Sequence, residues 1–183
     1  FHQMYPNVRL KILEASSNLL EGMVLSGEAD LAFFNAPIKS GEVDYQVISH
    51  EEVLLVLPAD HPLTRSGVRR EDCGYPWLDL KLLGDTPIML QMPGQRTRQT
   101  VDRLLKSQRF DPVVKIETGN IPAMVELASK GYAACFVTES HLNHIHLDKK
   151  VALFSVGDPC TMVDFVAAYR RGSYLPYHAK EYI

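Results

Sequence analysis

Thiols, imidazoles, carboxylates and guanidinium groups all occur in this chain, and their spacing decides what chemistry each can do. Cys73, Cys135 and Cys160 form an odd set without C-x-x-C spacing, which argues against a disulfide framework or a zinc ribbon and for a reducing compartment. His141 and His144 stand at i and i+3, with His146 nearby, so two imidazoles could share a helical face. No cysteine or carboxylate pattern accompanies them, and a polar surface segment without metal is expected. Ser16, Ser17, Ser66 and Ser140 lack the G-x-S-x-G context of an exposed nucleophile. Glu51 and Glu52 open a strand, where successive side chains face opposite ways. No phosphate loop or dinucleotide fingerprint is present. The residues predict no catalytic site and no cofactor.

Binding is the chemistry that remains. Loops at strand carboxyl ends and helix N-termini offer free N–H groups that favour anions and polar ligands. By that logic Asn35 and Ala36 line one lobe, Gly94, Gln95, Arg96 and Thr97 open one helix of the other, and Thr118, Gly119 and Asn120 open the next. The plainer reading of each is ordinary capping and turn chemistry. Arg96 and Arg98 lie in a first helical turn, where a cation opposes the helix dipole; an anionic ligand explains them, and so does a solvated side chain.

The elements that must position these groups follow from periodicity. In VRLKILE, Val8, Leu10 and Ile12 alternate with Arg9 and Lys11, the pattern of a half-buried strand. Asn18 is expected to cap a helix carrying Leu19, Leu20, Met23 and Val24, and Gly27 to end it before the strand DLAFF. VDYQVI and EEVLLVLP read as two further strands. After a Gly-, Pro- and charge-rich passage from Ala59 to Leu80, a β-α-β-α-β run follows: PIMLQ, a helix from Gln95 to Ser107, VVKIE, a helix opened by TGN and ended by Gly131, and YAACFV. VALFSV and MVDFVAAYR close the chain. This order predicts an α/β fold of two Rossmann-like lobes, 1–60 plus 151–183 and 61–150, joined by two crossover strands with a ligand cleft between them.

Composition bounds the partners. With 46% hydrophobic and 22% charged residues the chain is ordinary globular material, and its net charge of -3 gives no electrostatic footprint for nucleic acid. No stretch approaches the roughly 20 apolar residues of a membrane span. The opening FHQMYPNVRL has neither a basic leader nor an apolar core, so no signal peptide is expected and the cytoplasm is the simpler location.

Taken in order, several pieces resemble the effector-binding domain of LysR-type transcriptional regulators. They are Phe1 with Tyr5-Pro6 (F-x-x-x-Y-P), the Leu10 to Glu14 segment, GEADLAF at Gly27 to Phe33 and LVLPADHPL at Leu55 to Leu63, followed by MVELASKGYAACFV at Met124 to Val137 and RRGSYL at Arg170 to Leu175. The resemblance spans nearly the whole chain. It implies a periplasmic-binding-protein type 2 fold, a small-molecule effector and a homodimer or homotetramer. It also implies DNA contact only through an N-terminal winged helix-turn-helix outside this segment, together with an upstream strand and loop that help hold the effector. Where the family usually has Leu-Pro, this chain has Val137-Thr138, which brings a hydroxyl to the cleft. A stand-alone solute receptor of a transport system is the alternative on the same fold.

Overall fold

The computed structural model describes the chain except residues 144, 147–149, 175–178 and 180–183. It divides into two compact units, 1–49 with 164–183, and 50–163.

The first unit is built on helix α1 (Ser17–Ser26) and strands β1 (Ala32–Asn35), the leading part of β2 (Val43–Pro58) and most of β7 (Met162–Arg170). β1 pairs antiparallel with β7, from Ala32 opposite Ala168 to Asn35 opposite Phe165. Val24, Ala32, Phe34, Val43 and Ala168 form its core, with Leu20 and Leu25 packed against them. The cap of α1 is Ser16 rather than Asn18, and Gly27 ends the helix in the left-handed conformation, donating its N–H to the Val24 carbonyl. Glu21, buried on α1, accepts the Lys39 and Ser40 N–H groups at 2.8 and 2.7 Å, tying the stretch after β1 to the helix.

The alternation at Val8 to Ile12 does not produce a strand. Leu10 and Ile12 are 51% and 79% exposed, and no described strand lies beside them. An alternating pattern specifies one face of a strand but cannot supply the neighbour that receives its N–H and C=O groups.

The second unit is a sheet whose middle strands are buried on both sides. β3 (Ile88–Gln91) pairs in parallel with β4 (Val114–Thr118) and with β5 (Ala134–Thr138), while β2 lies antiparallel between β5 and β6 (Val151–Ser155). Helices α2 (Arg96–Ser107) and α3 (Ile121–Ser129) cross over between the parallel strands. Along β5, Ala134 and Phe136 join the core that contains Val101, Leu104 and Leu105 of α2, whereas Cys135 and Val137 join Met124, Val125 and Ala128 of α3. The period of two persists although every residue of β5 is buried. VDYQVI and EEVLLVLP form one continuous strand, Val43–Pro58, whose apolar half β5 and β6 flank. The same pairings place β6 in the second unit. The units therefore part at 49/50 and 163/164, where the sequence reading drew its boundaries near 60 and 151.

Between a 3-10 turn at Pro62–Arg65 and another at Leu80–Leu83, Val68 and Trp77 exchange N–H to carbonyl bonds of 2.8 and 2.7 Å, closing a loop. The loop leans on β6 and the turn after it: Leu78 donates to the Ser155 carbonyl, Ser155 to that of Pro76, and the Trp77 indole to that of Gly157 at 2.6 Å. Cys73 and Cys160 are joined here as a disulfide, Cα atoms 5.8 Å apart, which corrects the expectation of unpaired thiols. The partners are separated by 87 residues, and no local spacing announces such a pair. Cys135 alone is free among the described cysteines, and burial holds its thiol well above the usual range.

Gly157 on that turn has φ +95°, and an added Cβ would press on Thr161 Oγ1 and lie 2.9 Å from the Pro159 carbonyl oxygen. Gly157→Ala is expected to destabilise the chain by about 2–3 kcal/mol. Gly22→Ala, at an exposed position of α1 with open space around it, is expected to stabilise by about 0.5–1 kcal/mol. Urea unfolding of both variants checks the pair; equal midpoints would contradict the packing described.

Candidate functional site

The register of β3 on β4 sets Gln91 opposite Thr118, so the loops entering α2 and α3 emerge side by side at one edge of the sheet. β5, parallel to β3 on its other side, ends at Thr138 on the same edge. Gly94, Gln95, Arg96, Thr97, Thr118, Gly119, Asn120 and Thr138 are thus gathered at the carboxyl ends of three adjacent parallel strands. Asn35 and Ala36 stand in the first unit at the end of β1, where Asn35 is buried and the Ala36 N–H donates to the Asp164 carbonyl at 2.8 Å.

Several of these groups are engaged locally. Gln95 is the N-cap residue of α2, its N–H donating to the Met92 carbonyl at 3.0 Å. Thr118 Oγ1 accepts the Asn120 N–H, and Asn120 Oδ1 accepts that of Ala123, both at 3.0 Å. Thr138, fully buried, meets His141 Nδ1 through its hydroxyl at 2.9 Å and its N–H at 3.3 Å. Gly119 is exposed at the mouth of the loop.

Arg96 is completely buried, which overturns the solvated alternative. It lies on the stripe it shares with Thr100 and Leu104 at i, i+4 and i+8, the face α2 turns inward. Arg98 is committed elsewhere: its guanidinium binds Asp102 at 2.8 Å, the Gln91 carbonyl at 2.7 Å, and Glu117. Those contacts offset its unfavourable place in the first turn of α2, so no anionic ligand is needed to explain it.

Gln91 was missed by the sequence reading. It is 3% exposed, and its Nε2 has no hydrogen-bond partner among the described residues, an arrangement that native proteins rarely leave without a use. The signal was its position as the polar last residue of the otherwise apolar PIMLQ.

Beside this edge lies a group of acids. Glu51 Oε2 accepts the Ser140 N–H at 3.3 Å, while Glu52 turns the other way, to the Gly74 N–H at 2.8 Å and the Ser155 hydroxyl at 2.6 Å. Burial, with Glu139 and Glu52 adding to it, pushes the Tyr75 phenol up. Burial holds the His141 imidazole below its ordinary value, against the opposing pull of Glu51. His144 lies outside the described residues, and His146 is exposed.

Two α/β units with polar groups collected at strand carboxyl ends have a fold of the periplasmic-binding-protein type 2-like class. The chain belongs to the family described as the LysR substrate binding domain, whose profile matches residues 1–183. It is 27% identical over 175 residues to the HTH-type transcriptional regulator GbpR of Azospirillum brasilense, covering 94% of this chain and 46% of that protein. A probable RuBisCO transcriptional regulator of Porphyra purpurea is 28% identical over 147 residues, covering 76% and 43%. The chain therefore spans less than half the length of these relatives. Among solved structures, the Synechocystis PCC6803 CcmR regulatory domain in complex with 2-PG superposes with a TM-score of 0.83 at 17% identity, over 99% of this chain and 83% of that one. The QuiR effector binding domain in complex with shikimate gives 0.73 at 18%, over 91% and 74%. No helix among the described residues is long and apolar enough to cross a membrane.

Two outcomes follow from these environments. Because burial in the folded state disfavours the charged His141 imidazole, the stability this gives is complete above the ordinary pKa of 6.5 and is lost as pH falls below that value. Thermal unfolding between pH 7.5 and 5 is expected to be less pH-dependent in His141→Asn than in the wild type. Arg96→Ala, removing a buried guanidinium from the α2 interface, is expected to lower stability by about 3 kcal/mol or more; an unchanged urea midpoint would restore the solvated reading.

Proposed function

We propose that this chain is the sensing domain of a LysR-type transcription regulator, that it binds a small anionic or strongly polar metabolite, and that it is not an enzyme. The observation that carries the ligand reading is Gln91: a buried amide donor without a partner among the described residues stands at the sheet edge where α2 and α3 begin. Helix N-termini concentrate N–H donors and the positive end of the dipole, and a ligand oxygen there would satisfy Gln91 Nε2. Gly94, Gln95, Arg96, Thr97, Thr118, Gly119, Asn120 and Thr138 are the ligand contacts proposed in the second unit; Asn35 and Ala36 are positions proposed at the end of β1 in the first. Complexes of the CcmR and QuiR domains with 2-PG and shikimate support a small-molecule effector.

The ligand acts by differential affinity for two states of the domain. DNA contact falls to a part of the protein beyond this segment, as the HTH-type names and partial coverage of the relatives suggest, and the working place is the cytoplasm. A transport receptor would use the same fold, but the curated relatives matched are transcriptional regulators. Homodimers or homotetramers are proposed to form through the exposed apolar side chains Leu10, Ile12 and Leu19.

A thermal-shift screen of carboxylate and neutral polar metabolites tests the reading, since a native-state ligand raises the melting temperature. For a hit, Gln91→Leu is expected to weaken binding about tenfold while leaving the ligand-free domain as stable or about 1 kcal/mol more stable. Equal affinity in calorimetry would remove Gln91 from the site, and hits confined to neutral apolar compounds would refute the polar reading. Leu19→Glu is expected to shift light scattering toward the monomer; an unchanged mass would place the contact elsewhere.

A further inference from the structure

We propose that Cys73 and Cys160 are a reversible thiol–disulfide pair that sets how firmly the loop between Val68 and Trp77 is held to the turn between β6 and β7. The two cysteines lie on separate segments, and their Cα distance of 5.8 Å suits a disulfide without backbone movement. Cys160 is buried, whereas Cys73 is partly exposed at the loop tip and open to a small oxidant. In a compartment that keeps thiols reduced, such a pair works by exchange rather than as a permanent staple.

The surroundings give the bond something to control. The loop base is closed by the paired bonds of Val68 and Trp77, but its tip is held by few contacts. Gly74 donates to Glu52, Tyr75 to the Ser155 hydroxyl, and Arg70 pairs with the exposed Asp158 on the turn. The exposed Arg70 pair is worth little by itself, so the disulfide is the strongest link between tip and turn. That turn feeds β7, the strand on which the chain leaves the second unit. Glu52, Cys73 and Cys160 also present donor atoms within 4.8 Å of one another. The sulfurs thus lie close to a buried carboxylate, that of Glu52.

The exchange balances with a disulfide of the glutathione class as oxidant. Each protein S–S bond formed breaks one glutathione S–S bond, the two cysteines lose two electrons and two protons, and two glutathione thiols leave.

The test is a titration of the purified, reduced chain with stepped ratios of reduced to oxidised glutathione, followed by maleimide labelling under denaturing conditions and mass spectrometry. Two of the three thiols are expected to disappear together and to return on reversal, with a Cys73–Cys160 peptide link and Cys135 labelled throughout. The oxidised form is expected to melt about 5 °C or more above the reduced form. Exchange of the Gly74 and Tyr75 amides is expected to be at least threefold slower when oxidised. Cys160→Ser should abolish that redox dependence, and Cys135→Ser should retain it. Glutathione adducts alone, links between chains, or a bond that no ratio reduces would overturn the proposal. So would a reduced chain that binds one Zn(II) and then resists oxidation, which would make the trio a metal site instead.

Discussion

Two-sided burial of the middle strands of the second unit's sheet is the constraint on which the other features depend. Leu54, Leu55, Val56 and Leu57 of β2 are fully buried, as are Val137 of β5 and Met89 of β3. Strands covered on both faces cannot spend their C-terminal residues on solvent-facing alternation, so polarity is displaced to the ends, where Gln91 closes β3 and Thr138 closes β5. A parallel arrangement then puts a helix N-terminus after β3 and another after β4 on that same edge. The candidate ligand site is a consequence of how this sheet is covered, and requires no dedicated motif.

The same burial explains why charged groups here are held by specific bonds. Arg96 is enclosed under α2, Glu51 and Glu52 are each 4–5% exposed, and His141 is drawn into the Thr138 turn. Groups desolvated to this degree are stable only where hydrogen bonds replace water. Glu52 achieves this with an amide of the 68–77 loop and the hydroxyl of β6, and so links two segments far apart in sequence. In the first unit Glu21 has the same part, gathering two backbone N–H groups after β1. In both units a carboxylate fastens a loop that hydrophobic packing alone would leave loose.

Much of this was legible in the chain itself. The β-α-β-α-β order of the second unit, the inward stripe of α2, the left-handed stops at Gly27 and Gly131, and the capping role of Asn120 all arise from interactions within a turn or two of the residue concerned. Such local preferences are carried by neighbours in sequence and can be read without knowing the fold. Family membership was legible too, because the order and spacing of weak motifs persist along the whole chain.

What required tertiary structure involves partners distant in sequence. Val8 to Ile12 has a strand's alternation but no described neighbour to complete it. Arg96 could be solvated or enclosed until α2 was laid on its sheet, and the orphaned amide of Gln91 is visible only once everything around it has been placed. The union of Cys73 with Cys160 across 87 residues has no local signature. Periodicity reports which face of an element is apolar, whereas pairing, enclosure and cross-linking depend on which other segment arrives at that face, and only the folded chain decides that.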